Sequence, residues 1–371
     1  MKKIIFDKFI ITQLLNIFLG SLVGFICLFY FNDQEIIISQ TIIAISQFSI
    51  VFLAIYMSTA SLEMLYDHKD KIYKHILISI LLFFLIIFFN HHILFYKFLN
   101  FLYFIALIIS EYTHIYYAKI INNKNINHRY YLILNNLSSN IYRLILFLFF
   151  LLKFDPIIAF LFSSMISILI KSFVIVYLSI KTRSNQQTSL TNDSVKKFSN
   201  ILVKLSAYLE RNPTILVILA ISYSLDFLDI NLKNVGLAIL IFNISCVVGS
   251  TMWIRYENLN NIDLKELNSY LFFIIISIIG ALIFINFIPE NMFKAQSISL
   301  LKSNNILLVI SPIICGISYG LGVFHYGSSL PLIKIFLNII VFFFFGYFAF
   351  LFVALINILF FMIFSKFNKS N

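Results

Sequence analysis

The chain has 371 residues, 61% hydrophobic and 12% charged, with a mean hydropathy of +0.95. An ordinary soluble domain carries about 25% charged residues, so too few polar side chains are present to cover a soluble body of this length. Soluble enzyme, nucleic-acid reader and disordered regulator are set aside on that ground. The apolar runs are continuous, whereas a membrane β-strand alternates apolar and polar residues. The composition therefore predicts an all-α polytopic membrane protein.

A spanning helix needs roughly 20 mostly apolar residues. The chain opens Met-Lys-Lys and then runs apolar with no small-residue cleavage site, which reads as a retained first helix. In chain order the candidate spans are 9–31, 36–62, 75–95, 101–121, 130–152, 156–180, 200–225, 233–254, 269–288, 305–325, 330–346 and 348–365. That makes about twelve. The run from Leu330 to Phe364 is long enough for two helices, with Gly346 as the turn, or for one.

The loops carry the charge. With twelve spans, one side holds 18 of the basic residues, among them Lys69, Lys71, Arg129 and Lys366, and the other holds five: Lys97, Lys153, Lys233, Lys294 and Lys302. Lys and Arg accumulate in cytoplasmic loops, so both termini are expected inside. The same rule absorbs the net charge of +11 without an acidic partner, and no nucleic acid is implied. The longest polar stretch, 181–199, has a linker composition. It separates an expected six-helix lobe, residues 1–180, from a second, residues 200–371.

Cys27, Cys246 and Cys315 sit in apolar runs with no CxxC spacing, and the seven histidines show no HExxH. No metal or cofactor is expected. Nothing resembles a GxxxxGK[ST] phosphate loop, so no ATP hydrolysis is expected either.

The informative residues are those a bilayer should not contain. A charged side chain at mid-helix costs roughly 2.5–3.5 kcal/mol on insertion scales and usually faces a cavity or a partner. Span one holds Gln13 and Asn16 on one face, with Gly20 and Gly24 at packing spacing. Span four holds Glu111 with His114 at i+3, the parts of a proton or cation relay, or of an ion pair with Arg143 or Lys171. Span five holds Asn136, Asn140 and Arg143 at i, i+4, i+7. Ser139 flanks them. These residues line a cavity, or Asn and Ser bridge neighbouring helices. Span six holds Lys171 with Ser163, Ser164 and Ser167. Span seven holds Glu210, Arg211, Asn212 and Pro213, a hinge beside a charged pair, or an interface if the helix starts at Pro213. Span ten holds Ser311-Pro312 and a Gly316/Gly320 pair suited to close packing, with Gly322 beyond.

Three stretches carry a resemblance. They are Tyr116-Tyr117-Ala118-Lys119 through Asn127-His128-Arg129-Tyr130 with Arg143; Leu209-Glu210-Arg211 with the later Asn234-Val235-Gly236; and Lys334 with Asn338. With twelve spans and a central polar linker, the chain resembles the bacterial O-antigen flippases of the multidrug/oligosaccharidyl-lipid/polysaccharide exporter superfamily. The resemblance implies translocation of an undecaprenyl-diphosphate-linked O-antigen or capsule repeat unit across the cytoplasmic membrane. It implies that lipid as substrate, surrounding membrane lipids, and the polysaccharide polymerase and chain-length machinery as partners. The buried cations suit a diphosphate, since Arg and Lys supply charge and hydrogen-bond donors in a region of low dielectric. The expected substrate contacts are Arg143, Lys171, Arg211, Asn136 and Asn140; the expected ion-coupling residues are Glu111, His114 and Glu210. Alternative readings are an O-antigen polymerase, which is a membrane glycosyltransferase, and another secondary transporter.

Overall fold

A computed structural model describes residues 8–59, 69–89, 96–122, 128–182, 306–321, 330–345 and 349–367, together with scattered positions between 205 and 294. Among the described residues the regular structure is helical, with no strand. The helices are α1 Lys8–Tyr30, α2 Asp33–Ser49, α3 Val51–Thr59, α4 Lys69–Phe89, α5 Lys97–Asn122, α6 His128–Leu151, α7 Pro156–Thr182, α8 Ile306–Leu321, α9 Leu330–Phe345 and α10 Ala349–Phe367. Asp70–Phe88, Lys97–Tyr117 and Pro156–Ile180 are each long and apolar enough to cross a membrane, and α2 with α3 makes a fourth such segment as a bent pair. The protein is a multi-pass helical membrane protein.

The expected span 36–62 is broken. α2 and α3 meet at 50°. The cause lies in the serines: Ser49 Oγ bonds back to Ile45 O at 2.7 Å, and Ser46 Oγ leaves its own helix to reach Asn100 Oδ1 on α5 at 2.9 Å. Such side chains compete with the helical ladder and bend it. The expected start at residue 75 is corrected to Lys69, because α4 extends through its polar first turn. The run 330–365 is two helices, α9 and α10. Only scattered positions of spans seven to nine are described; Lys181 and Thr182 of the expected 181–199 linker belong to α7, and the rest of it lies outside the described residues.

The chain divides into two compact units, Met1–Val23 with Ile42–Ile201, and Gly24–Thr41 with Leu202–Asn371. In the first, α7 packs on both α5 and α6, and α3 packs on α4 and α5. Its core includes Phe83, Phe104 and Phe147, fully buried. Phe83 and Phe104 stack with ring centroids 4.2 Å apart. In the second, α10 packs on α8 and α9 around Phe242, Phe342 and Phe350. A Cβ on Gly316 would lie 2.5 Å from Ser245 Cβ and 2.7 Å from Phe242 O, so α8 approaches the 242–246 segment as closely as the glycine allows. Beside it runs a buried polar chain: Asn338 Nδ2 donates to Asn357 Oδ1 at 3.2 Å, and Asn357 Nδ2 to Ser318 Oγ at 3.3 Å. Lys334, one turn before Asn338, is buried as well.

Candidate functional site in the first unit

The polar residues of α6 do not share one purpose. Asn140 Nδ2 donates to Asn16 Oδ1 on α1 at 2.6 Å. This is the bridging role that asparagine plays between membrane helices. Gly20, one turn from Asn16, stands beside the same amide: a Cβ there would meet Asn140 Nδ2 at 3.9 Å, ordinary contact.

A second face of α6 is zipped to α7. Ser139 and Ser167 hydroxyls lie 2.7 Å apart, and each also reaches the other's carbonyl: Ser139 Oγ to Ser167 O at 3.2 Å, Ser167 Oγ to Ser139 O at 2.7 Å. Four residues before Ser139, Asn135 Nδ2 donates to Lys171 O at 3.0 Å. Asn135 is buried, and its Oδ1 has no hydrogen-bond partner among the described residues. The Ser139–Ser167 pair is the expected bridging of neighbouring helices by serine, whereas Asn135 is not among the residues expected from the sequence. The readable signal was the i, i+4 pair Asn135/Ser139 opposite Ser164, Ser167 and Lys171 at i, i+3, i+7 on α7. Ser163 and Ser164 turn inward to their own helix, both bonding Phe160 O.

Arg143 lies partly buried beyond the zipper. Its guanidinium sits 4.7 Å from the centroid of the Phe160 ring on α7. A cation over an aromatic face is held by the ring quadrupole, more firmly where water is excluded. Tyr103 on α5, buried, lies within electrostatic reach of Arg143. Glu111 on α5 lies within electrostatic reach of Lys171 on α7. His114 follows Glu111 by one turn and is partly buried, as is Asn136 on α6.

Of the two cations expected near Glu111, Lys171 is within its electrostatic reach. Phe160, against which Arg143 rests, and Lys171 are eleven residues apart on α7, about 16 Å along the axis. The two cations form two levels of one three-helix bundle: Glu111, Lys171 and Asn135 toward the His128 end of α6, and Arg143, Tyr103 and Phe160 toward the Leu151 end. Glu210 and Arg211 lie outside the described residues.

This arrangement can hold an anion at either level. Lys171 offers a compact ammonium already set beside a carboxylate. Arg143 offers a planar fork braced on an aromatic ring. Between them the zipper fixes α6 against α7, so the two levels keep their separation.

No family model matches the chain, and no curated protein matches it. A solved structure described as the inward-facing conformation of a multidrug resistance transporter of the MATE family, in the MOP superfamily, aligns with 93% of this chain and 90% of its own. The identity is 14% and the TM-score 0.32.

Proposed function

We propose that the protein is a flippase for an undecaprenyl-diphosphate-linked oligosaccharide, an O-antigen or capsule repeat unit, in the bacterial cytoplasmic membrane. The observation that carries the reading is the pair of cationic levels, Lys171 with Glu111 and Arg143 with Tyr103 and Phe160, inside one bundle of apolar helices. A diphosphate entering a low-dielectric region needs compensating charge and directed donors, which Lys and Arg supply. The lipid tail stays in the bilayer. The sugar needs hydroxyl and amide neighbours, which Asn136 and the Ser and Tyr residues of α5–α7 offer. No bond is made or broken, so no catalytic residue is assigned.

In this reading the substrate first meets Lys171, at the end of the bundle that the charge distribution puts in the cytoplasm. The phosphate competes with Glu111 for the ammonium. A displaced carboxylate in an apolar setting favours its protonated form, and His114 one turn away is placed to pass that proton. The diphosphate then advances to Arg143, and Lys171 recovers Glu111, which releases the proton. Substrate and proton are thus taken up together and released together at the Lys171 level, which couples their movement. Glu210 and Arg211 are proposed as the corresponding pair in span seven, with both termini and the 181–199 linker cytoplasmic.

Native mass spectrometry of the purified chain tests the reading. Undecaprenyl diphosphate should bind at least tenfold more tightly than the uncharged alcohol, and Arg143→Ala should erase most of that preference. Equal binding of the two lipids would overturn the diphosphate reading.

A further inference from the structure

The connection between α1 and α2 is bonded beyond the needs of a turn. Asn32 Oδ1 accepts from Glu35 N at 2.8 Å, and Asn32 N donates to Glu35 Oε2 at 2.8 Å. This reciprocal capping box completes the start of α2 by itself. Yet the Glu35 carboxylate also receives Lys294 Nζ, at 3.1 Å on Oε2 and 3.3 Å on Oε1. Lys294 N in turn donates to Leu28 O at 3.2 Å, one of the last carbonyls of α1 and so without a partner inside its helix. One residue, 259 positions away from Glu35, therefore closes on both ends of the connection at once. Its own segment is tight, with Met292 N bonded to Pro289 O at 3.1 Å.

Two further features bear on what this contact does. The pair is accessible, with side-chain exposures of 48% for Lys294 and 20% for Glu35, so water and salt can compete for it. And both helices change unit partway: α1 at Val23/Gly24 and α2 at Thr41/Ile42. The α1–α2 tip is thus grouped with Lys294, while the bodies of the same two helices are grouped with α3–α7.

We propose that Lys294 is a reversible latch: its ion pair with Glu35 and its backbone bond to Leu28 hold the α1–α2 tip against Met292 and Lys294, and release frees the tip. Glu35, in the first turn of α2, and Lys294 both lie at ends that the charge distribution puts outside. A surface ion pair is of the right strength for this. It shifts a two-state equilibrium only a few-fold, so closing and opening both remain accessible in one cycle.

The test needs no knowledge of the substrate, so its failure is distinct from a failure of the flippase reading. Spin labels at Gln34 and Met292, both exposed, are placed on the full-length chain in lipid nanodiscs. The wild-type background should show a dominant close population by spin–spin broadening. Lys294→Gln, which leaves the capping box intact, should lower the ratio of close to separated populations by about 2- to 5-fold. Glu35→Lys should lower it further, and the exchange Glu35→Lys with Lys294→Glu should recover most of the loss. Raising salt to about 1 M should act on the wild type as Lys294→Gln does. An unchanged ratio in Lys294→Gln, or an exchange variant no closer than Glu35→Lys alone, would overturn the latch.

Discussion

Asn140 and Asn16 share a short side-chain amide contact between helices, Nδ2 to Oδ1 at 2.6 Å, joining α6 to α1. Each amide is the other's means of avoiding an unsatisfied group among apolar side chains. Removing one strands its partner. Asn140→Leu and Asn16→Leu should each destabilise the chain by about 1 kcal/mol, and the double variant by less than the sum, the coupling being about 0.6 kcal/mol as membrane hydrogen bonds average. Unfolding in mixed detergent micelles measures this. Additive losses would mean the contact contributes nothing.

Gly316 and Gly20 differ in what surrounds them. A Cβ at Gly316 would fall 2.5 Å from Ser245 Cβ and 2.7 Å from the Phe242 carbonyl, whereas at Gly20 the nearest contact is 3.9 Å. Gly316→Ala should force α8 off the 242–246 segment and destabilise by about 1–3 kcal/mol, the usual range for overpacking. Gly20→Ala should be close to neutral. Thermal unfolding in detergent distinguishes them.

Glu111 lies within electrostatic reach of Lys171, and the strength of that interaction is measurable. Each single change, Glu111→Gln or Lys171→Met, leaves a charge without its neighbour in an apolar setting. Breaking one side of a buried pair is more costly than replacing both. The Glu111→Gln/Lys171→Met double variant should therefore be more stable than the sum of its parts predicts. The Glu111→Gln/Arg143→Met double should be additive. A cycle with these two outcomes interchanged would place the carboxylate at the wrong level.

Arg143 holds its guanidinium carbon over the Phe160 ring, 4.7 Å from the centroid, so charge and shape separate by substitution. Arg143→Ala should weaken binding of undecaprenyl diphosphate by roughly tenfold or more, the scale of one charge-assisted hydrogen bond. Arg143→Lys should recover part of it, since the charge returns without the planar fork. Arg143→Met, which keeps bulk against Phe160 and removes charge, should behave as Arg143→Ala. Binding retained by Arg143→Met would make the residue a packing element.

Much of this was readable from apolar run lengths. They place α1, α5, α6 and α7 to within a few residues, because a helix in lipid is set by the length of hydrocarbon it must cross. The break at Ile50 was not readable: it depends on which carbonyl Ser49 and which distant amide Ser46 find, and neither follows from spacing alone. The face Asn136, Asn140, Arg143 was read as one surface. It divides, since Asn140 turns to α1 and Arg143 to α7. Periodicity says which residues lie on one side of a helix, but which neighbour each meets depends on how three helices pack. The same limit left Glu111 with two possible partners until α7 was set against α5. Asn135 was passed over because its neighbour Asn136 fits the Arg143 spacing better, although Asn135 is the one that reaches Lys171.

The most direct measurement is leaflet exchange of a fluorescent undecaprenyl-diphosphate-linked oligosaccharide in proteoliposomes, with an imposed proton gradient. The wild-type chain should move the lipid between leaflets and respond to the direction of the gradient. Glu111→Gln should still move it but no longer respond. A wild-type chain that exchanges no more lipid than protein-free vesicles, with or without a gradient, would contradict the flippase reading.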